Sequence, residues 1–290
     1  MRVRWRDVSG ADGVRLRVRE VAGPPGATTV VLHHGLASSQ RIWDLMLPAL
    51  AAHHRVVTFD ARGHGLSAKP SSGYGFDRTV ADLRAVIRAT RAGRPVVAGH
   101  SWGAMVALET AARHPGGVAG AVLVDGGVAR MRDGFSSWAD AKRVLAPPLL
   151  AGMPMEEFRG LIRTFFADAV DVTPDVEDIV LAVMRVDARG AIHPRLSRAN
   201  HFRILRAIWQ QDPVRLHASL RVPALAVMAH RSGDPAERAW EDAKREAAAR
   251  IRAAGAPTRF VWLEGIHDLP LQQPDAVARR IRAFARTAVR

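Results

Sequence analysis

Residues 95–112 read PVVAGHSWGAMVALETAA and join three patterns in one short segment. Pro95 to Ala98 form an apolar run of strand type, and Ala104 to Ala112 have the composition of a buried helix. The pentapeptide Gly99-His100-Ser101-Trp102-Gly103 lies between them, where a tight turn lifts a serine hydroxyl above the edge of a sheet. Glycine is expected on both sides of such a serine because the turn leaves no space for a Cβ. We therefore predict that Ser101 is a nucleophile.

The composition fits one large globular unit. The chain has 290 residues, of which 48% are apolar, and it contains no cysteine. Disulfides, thiolate metal sites and a cysteine nucleophile are thereby excluded. The first residues lack the apolar stretch of a signal peptide, and no apolar run is long enough to span a bilayer. From these features we expect a cytoplasmic protein.

The net charge of +14 raises the question of nucleic-acid binding. The arginines are scattered along the chain instead of forming a basic block with interleaved aromatic residues. Only three lysines occur, Lys69, Lys142 and Lys244, a bias that GC-rich coding produces. We expect no nucleic acid as the main partner, and weak attraction to anionic surfaces stays open.

Apolar strands alternate with helical segments over much of the chain. Strands are predicted at Val14–Val21, Thr28–His33, Arg55–Asp60, Pro95–Ala98, Gly120–Val124, Val222–Met228 and Arg259–Leu263. Helices are predicted at Trp43–Ala52, Thr79–Arg91, Ala104–Ala112, Pro235–Ala254 and Pro274–Thr287. This alternation predicts an α/β fold with a mostly parallel, doubly wound sheet covered on both faces.

The strand pattern is interrupted between residues 128 and 212. Helices are predicted there at Trp138–Leu145, Glu156–Ala167, Val176–Val186 and Phe202–Trp209, with prolines between them. We predict a helical cap at 128–212, inserted after the sixth strand of a core formed by 1–127 and 213–290. The cap is expected to supply apolar surface for a lipophilic group, although each of its large apolar residues taken alone fits the core of the cap better than a substrate contact. These residues are Trp138, Phe158, Phe165, Phe166, Met184, Phe202 and Trp209.

Four motifs occur in a recognisable order along the chain. They are His34-Gly35-Leu36, the segment from Asp60 to Ser67, the Ser101 pentapeptide, and Gly265-Ile266-His267-Asp268. With these motifs the whole chain resembles the α/β-hydrolase family whose members carry a helical cap. The resemblance implies a catalytic triad in the chain order serine, acid, histidine.

The resemblance implies His267 as the base among the twelve histidines of the chain. His267 follows the last apolar strand and lies far downstream of Ser101, as the triad order requires. The backbone N–H groups of Leu36 and Trp102 are the implied oxyanion donors. Trp102 is also expected to form a wall of the acyl site, and the alternative for its indole is a place in the apolar core.

The acid departs from the commonest family pattern. Most relatives carry it in a Gly-x-x-Asp-like turn after the penultimate strand, where this chain has Ala229 and Ser232. Asp234 would need a shift of two residues to serve. A minority of the family uses the end of the preceding strand, where Asp125 lies. We favour Asp125 and keep Asp234 as the alternative acid.

With a serine nucleophile, the resemblance implies a hydrolase that cleaves an ester or lactone of a lipophilic small molecule through an acyl-enzyme. It excludes haloalkane dehalogenases and the usual epoxide hydrolases, which attack with aspartate. A thioesterase, an acyltransferase, a C–C bond hydrolase or a non-catalytic ligand-binding member of the fold remain alternatives. No metal or cofactor is expected, since the adjacent histidine pairs point in different directions and no glycine-rich phosphate cradle occurs. The oligomeric state stays open.

Overall fold

The computed structural model describes residues 1–231 and 238–288, whose main element is an eight-stranded sheet. The strands are β1 (Val3–Ser9), β2 (Arg15–Val21), β3 (Thr29–His33), β4 (Arg55–Phe59), β5 (Val96–His100), β6 (Gly120–Val124), β7 (Met184–Val186), β8 (Ile192–Pro194), β9 (Ala224–His230) and β10 (Thr258–Glu264). The strand order in the sheet is β1-β2-β4-β3-β5-β6-β9-β10. Neighbours from β4 to β10 pair in parallel, and β1 and β2 are antiparallel additions at one edge.

Helices cover both faces of the sheet. They are α1 (Leu47–Ala51), α2 (Phe76–Ala89), α3 (Trp102–Arg113), α4 (Trp138–Val144), α5 (Met155–Phe166), α6 (Pro174–Leu181), α7 (Arg198–Gln210), α8 (Pro213–Ala218), α9 (Arg238–Ala253), α10 (Leu269–Gln272) and α11 (Pro274–Ala288). Short 3-10 turns lie at Ala11–Gly13, Gln40–Met46, Pro115–Gly117 and Met131–Asp133.

The central strands are apolar on both faces because each face is covered. In β3, Val31 belongs to the apolar cluster that includes residues of α2, α3 and α9, whereas its neighbours Val30 and Leu32 belong to the cluster that includes residues of α1 and α11. This alternation follows from side chains pointing to opposite faces along a strand. The predicted α/β class and doubly wound sheet are therefore confirmed.

The register brings three strand ends together. Val97 of β5 pairs with Val31 of β3 on one side and with Ala121 of β6 on the other. Because all three strands run parallel, the loops after them emerge at the same edge of the sheet. The segments after His33, His100 and Val124 therefore become neighbours.

Two elements near the start of the chain differ from the sequence-based expectation. The strand β1 is not predicted, because it is an edge strand whose side chains are mostly exposed and show no apolar alternation. The predicted helix Trp43–Ala52 is divided into a 3-10 turn, Gln40–Met46, and the short helix α1. Pro48 lies in the first turn of α1, where a missing N–H is tolerated.

The segment 128–212 contains two short strands, contrary to the prediction of helices alone. The predicted helix Val176–Val186 ends at Leu181, and β7 and β8 form a small antiparallel pair separate from the main sheet. Asp187 closes the turn between them, because its Oδ1 accepts the N–H groups of Arg189 and Ala191. The division into core and cap remains a prediction.

In the described ranges no helix combines the length and the apolar character that a bilayer crossing requires. The longest described helix, α9, spans 16 residues and is highly charged. Its predicted start at Pro235 falls outside the described residues.

Candidate active site

Ser101 occupies a strained turn between β5 and α3. Its backbone has φ 55° and ψ −119°, a region that costs a non-glycine residue about 1–3 kcal/mol. Two backbone hydrogen bonds hold the turn: Ser101 N–H donates to Val124 O at 2.9 Å, and Ala104 N–H donates to Ser101 O at 3.0 Å. The packed strand and helix therefore enforce a conformation that projects the hydroxyl from the sheet edge.

Both glycines of the pentapeptide lie where backbones approach closely. A Cβ on Gly99 would lie 2.1 Å from the Gly103 carbonyl group, and one on Gly103 would lie 2.2 Å from His33 O. Neither backbone can move without separating α3 from β3 and β5. The expected absence of space for a Cβ at these positions is confirmed.

The structure brings Ser101, His267 and Asp125 together. His267 follows β10, and its Nε2 lies 2.9 Å from Ser101 Oγ. Its Nδ1 lies 2.6 Å from Asp125 Oδ2. With the Nδ1–H donating to the carboxylate, Nε2 is free to accept the serine hydroxyl proton. Asp234, the alternative acid, lies outside the described residues.

Asp125 is buried and held by three donors in the described part of the chain. Oδ2 accepts from His267 Nδ1, while Oδ1 accepts from Ala229 N at 3.0 Å and Lys244 Nζ at 3.1 Å. Burial raises the pKa of Asp125, but the hydrogen bond from His267 and the charges of His267 and Lys244 outweigh it and lower the pKa to about 2. The carboxylate is therefore ionised at neutral pH.

The surroundings of the His267 imidazole favour its protonated form, as a general base requires. Desolvation by the surrounding protein lowers its pKa, but the hydrogen bond to Asp125 and that carboxylate's charge outweigh this desolvation and raise the pKa above its ordinary value. The side chain is 53% exposed, so solvent screens part of this effect. The ring is thus hydrogen-bonded to Asp125 through Nδ1 and remains accessible to solvent.

The loop that carries Leu36, one of the two expected oxyanion donors, reaches Ser101, since a Cβ on Gly35 would lie 3.2 Å from Ser101 Cβ. The other, Trp102, directly follows Ser101 in the chain. Neither Leu36 N–H nor Trp102 N–H donates a hydrogen bond to any described residue. Trp102 N–H belongs to the first turn of α3, where backbone amides have no partner within the helix. Ala37, next to Leu36, has φ 55°, and its N–H donates to His64 Nε2 at 3.2 Å. His64 therefore fixes the loop that carries Leu36.

The indole of Trp102 lies in the core, contrary to the expectation that it forms a wall of the acyl site. It is 1% exposed and packs against the rings of His33 and His64, with centroids 5.1 and 5.3 Å away. Burial lowers the pKa of each of these two histidines to about 3, so both are neutral.

His100 and Lys244 support the site without being singled out by sequence reasoning. His100 Nε2–H donates to His267 O at 2.9 Å, so its buried ring holds the backbone of the loop after β10. Lys244 reaches Asp125 from α9. For His100 the sequence held one local signal of a role in the site, its position next to Ser101. For Lys244 it held none, because its contact with Asp125 joins residues 119 apart in the chain.

A cavity of about 170 Å³ lies between the 128–212 segment and the loops after β3 and β4. Its wall begins at Ala37, one residue beyond Leu36, and is mainly apolar, with Leu150, Val183, Met184 and Leu196. Arg195 is the guanidinium in that wall. Of the apolar residues expected from the cap, Met184 lies in the cavity wall, whereas Phe165 is 78% exposed.

Comparison with known proteins identifies the fold. Residues 28–158 match the family described as "alpha/beta hydrolase fold". The crystal structure of E-2-(acetamidomethylene)succinate hydrolase superposes with a TM-score of 0.76 at 21% identity, covering 99% of this chain and all of that one. The chain therefore has the α/β-hydrolase fold.

Individual sequence relatives match over shorter segments. Epoxide hydrolase A of Mycobacterium tuberculosis is 41% identical over 111 residues, which is 37% of this chain and 34% of that protein. The non-heme chloroperoxidase of Streptomyces lividans is 39% identical over 119 residues, which is 40% of this chain and 43% of that protein. The chain therefore spans less than half the length of these curated relatives, whose names cover several activities.

Proposed function

We propose that this protein is a serine hydrolase that cleaves a carboxylic ester or lactone of a lipophilic small molecule through an acyl-enzyme. The observation that carries the proposal is the continuous hydrogen-bonded series from Ser101 Oγ through the two nitrogens of His267 to Asp125 Oδ2. A serine hydroxyl becomes an effective nucleophile when a base accepts its proton and a carboxylate fixes the tautomer of that base.

The reaction has two halves. Ser101 Oγ attacks the carbonyl carbon while His267 Nε2 takes the hydroxyl proton, and Leu36 and Trp102 N–H stabilise the oxyanion. Collapse of the tetrahedral intermediate breaks the ester C–O bond, and His267 gives its proton to the leaving alkoxide. A water molecule then attacks the acyl-enzyme with His267 as base, which releases the acid and restores Ser101.

Serine at position 101 favours ester cleavage over epoxide hydrolysis, the activity for which one of the relatives is named. The resemblance described above associates epoxide opening in this family with an aspartate nucleophile. That carboxylate forms an ester intermediate which water can hydrolyse at its carbonyl carbon. A serine alkoxide attacking an epoxide would form an ether. An ether has no carbonyl carbon that water could attack, so the enzyme would not be regenerated. Ser101 with a backbone oxyanion site instead suits a carbonyl substrate.

The segment 128–212 is proposed to act as a lid that selects the substrate. The cavity with its apolar wall and its position beside the Leu36 loop support this role. Its volume of about 170 Å³ lies below the roughly 300–1,000 Å³ of drug-sized ligand sites, so it suits a small apolar group. Small-molecule sites of this kind use an apolar wall for affinity and a few polar groups for orientation.

A substrate panel tests the proposal directly. Purified protein is assayed with p-nitrophenyl esters of increasing chain length, lactones and thioesters, and the acylated protein is analysed by intact mass spectrometry. We expect turnover of oxygen esters or lactones and an adduct on Ser101. Preferential transfer of the acyl group to added thiols or alcohols would replace hydrolysis by acyl transfer. Absence of both turnover and adduct in folded protein would contradict an enzymatic role.

The pH dependence follows from the raised pKa of His267. The base works only when neutral, so kcat/KM should fall as the pH decreases through one ionisation above about 6.5. Asp125 stays ionised, because its pKa is about 2. His33, His34 and His64, with pKa values of about 3, stay neutral and contribute nothing to this limb. A pH profile of p-nitrophenyl ester hydrolysis checks this, and an acid limb centred below pH 6 would contradict it.

A further inference from the structure

Lys244 lies beneath the Ser101–His267–Asp125 arrangement, in the buried face of α9. The residue is 6% exposed, and the neighbouring Ala247 and Ala248 on the same helix are fully buried. Its Nζ lies 3.1 Å from Asp125 Oδ1 and 2.7 Å from Ala229 O. A buried ammonium group is unfavourable unless it is paired and hydrogen-bonded. The carboxylate and the carbonyl therefore account for a charge in this position.

The two oxygens of Asp125 have separate partners. Oδ2 faces His267, whereas Oδ1 accepts from both Ala229 N and Lys244 Nζ. The backbone N–H of Ala229 already fixes the direction of the carboxylate. Lys244 adds something that this N–H lacks, namely a full positive charge against the oxygen opposite the imidazole.

We propose that Lys244 is a positioning residue that acts through Asp125 and sets the basicity of His267. The proposal rests on the triad roles proposed above. A free carboxylate beside the imidazole stabilises the protonated ring strongly, and a cation on the far oxygen reduces that stabilisation. Lys244 thereby keeps His267 neutral, and hence active as a base, at a lower pH than Asp125 alone would allow.

The other charged and titratable groups around His267 are few in the described ranges. Asp268 is its neighbour in the chain and favours the protonated ring. His100, at the end of β5, packs against the ring at 4.9 Å between centroids, and burial lowers its pKa. On α9, Glu241 accepts the N–H of Arg231. Glu241 is therefore engaged with the backbone of residue 231, whereas the carboxylate that Lys244 contacts is Asp125.

The test compares the acid limb of the kcat/KM profile between variants. Lys244→Met removes the charge and keeps the chain length, and should move the limb upward by about 0.5–1 pH unit. Lys244→Arg keeps the charge and should restore the wild-type position at least in part. Arg250→Met removes a positive charge from the exposed side of the same helix and should leave the limb unchanged. A purely structural role of Lys244 would lower activity without moving the limb.

A readout that needs no substrate separates this proposal from the proposed function. The His267 ring protons are titrated by NMR in wild type and Lys244→Met, and the variant should titrate at higher pH. An unchanged imidazole titration in a folded variant would overturn the role of Lys244. Absence of ester turnover in wild type would overturn the proposed function alone. If Lys244→Met does not fold, Lys244→Gln offers an uncharged donor to Asp125 Oδ1 for the same comparison.

Discussion

Ser101→Ala should reduce kcat for ester hydrolysis by about 10⁶-fold while the protein stays folded. The hydroxyl is the proposed nucleophile, and within the described residues its hydrogen bond is with His267 Nε2. Ser101 precedes α3 without a side-chain hydrogen bond to the helix, so removing Oγ takes away no cap. Alanine meets the same backbone strain as serine at φ 55°. Steady-state kinetics and thermal unfolding measure the two parts of this expectation.

Ser219→Ala is the matched control. Ser219 is exposed at the end of α8, and its hydroxyl donates to Leu216 O. This variant should keep wild-type activity. A fluorophosphonate probe should label the wild type at Ser101, and labelling should be lost in both Ser101→Ala and His267→Ala. Activity of purified Ser101→Ala within tenfold of wild type would remove Ser101 from the mechanism.

The sequence was most informative where one physical requirement acts locally. Buried parallel strands need continuous apolar runs, so β3, β5, β6 and β9 are visible as such. The turn at Ser101 needs glycine at positions 99 and 103, so its place between strand and helix is visible too. The edge strand β1 and the three-residue strands β7 and β8 carry no such requirement.

The site was harder to predict because its partners are distant in the chain. Asp125 and His267 are 142 residues apart, and their contact depends on the register of β6, β9 and β10. A strand end gave Asp125 as one of two candidates, and the geometry of the sheet brings it to the imidazole. Lys244 had no local signal at all, since one lysine within a charged helix resembles any solvent-facing residue. Its position under Asp125 follows from how α9 packs on the sheet.

Asp125→Asn should lower kcat by about 10⁴-fold. The carboxylate accepts the Nδ1–H of His267 at 2.6 Å and so leaves Nε2 unprotonated toward Ser101. An amide can present its NH₂ group to the same nitrogen, which favours the opposite tautomer, and it supplies no charge to stabilise the imidazolium of the transition state. Kinetics with the best ester of the panel, at the plateau of the pH profile, measure the loss. Asp234→Asn, which alters the alternative acid, should change kcat by less than about tenfold.

Stability has to be separated from catalysis in this variant, because Asp125→Asn also leaves the Lys244 ammonium buried without its carboxylate. Breaking a buried ion pair on one side costs about 3–5 kcal/mol, so the thermal midpoint should fall. The double variant Asp125→Asn/Lys244→Met removes both charges and should recover much of that stability. It should not recover kcat, since His267 still lacks the carboxylate that orients it. Recovery of activity together with stability would mean that Asp125 serves the fold and not the reaction. A 10⁴-fold loss in Asp234→Asn with an active Asp125→Asn would transfer the acid role to Asp234.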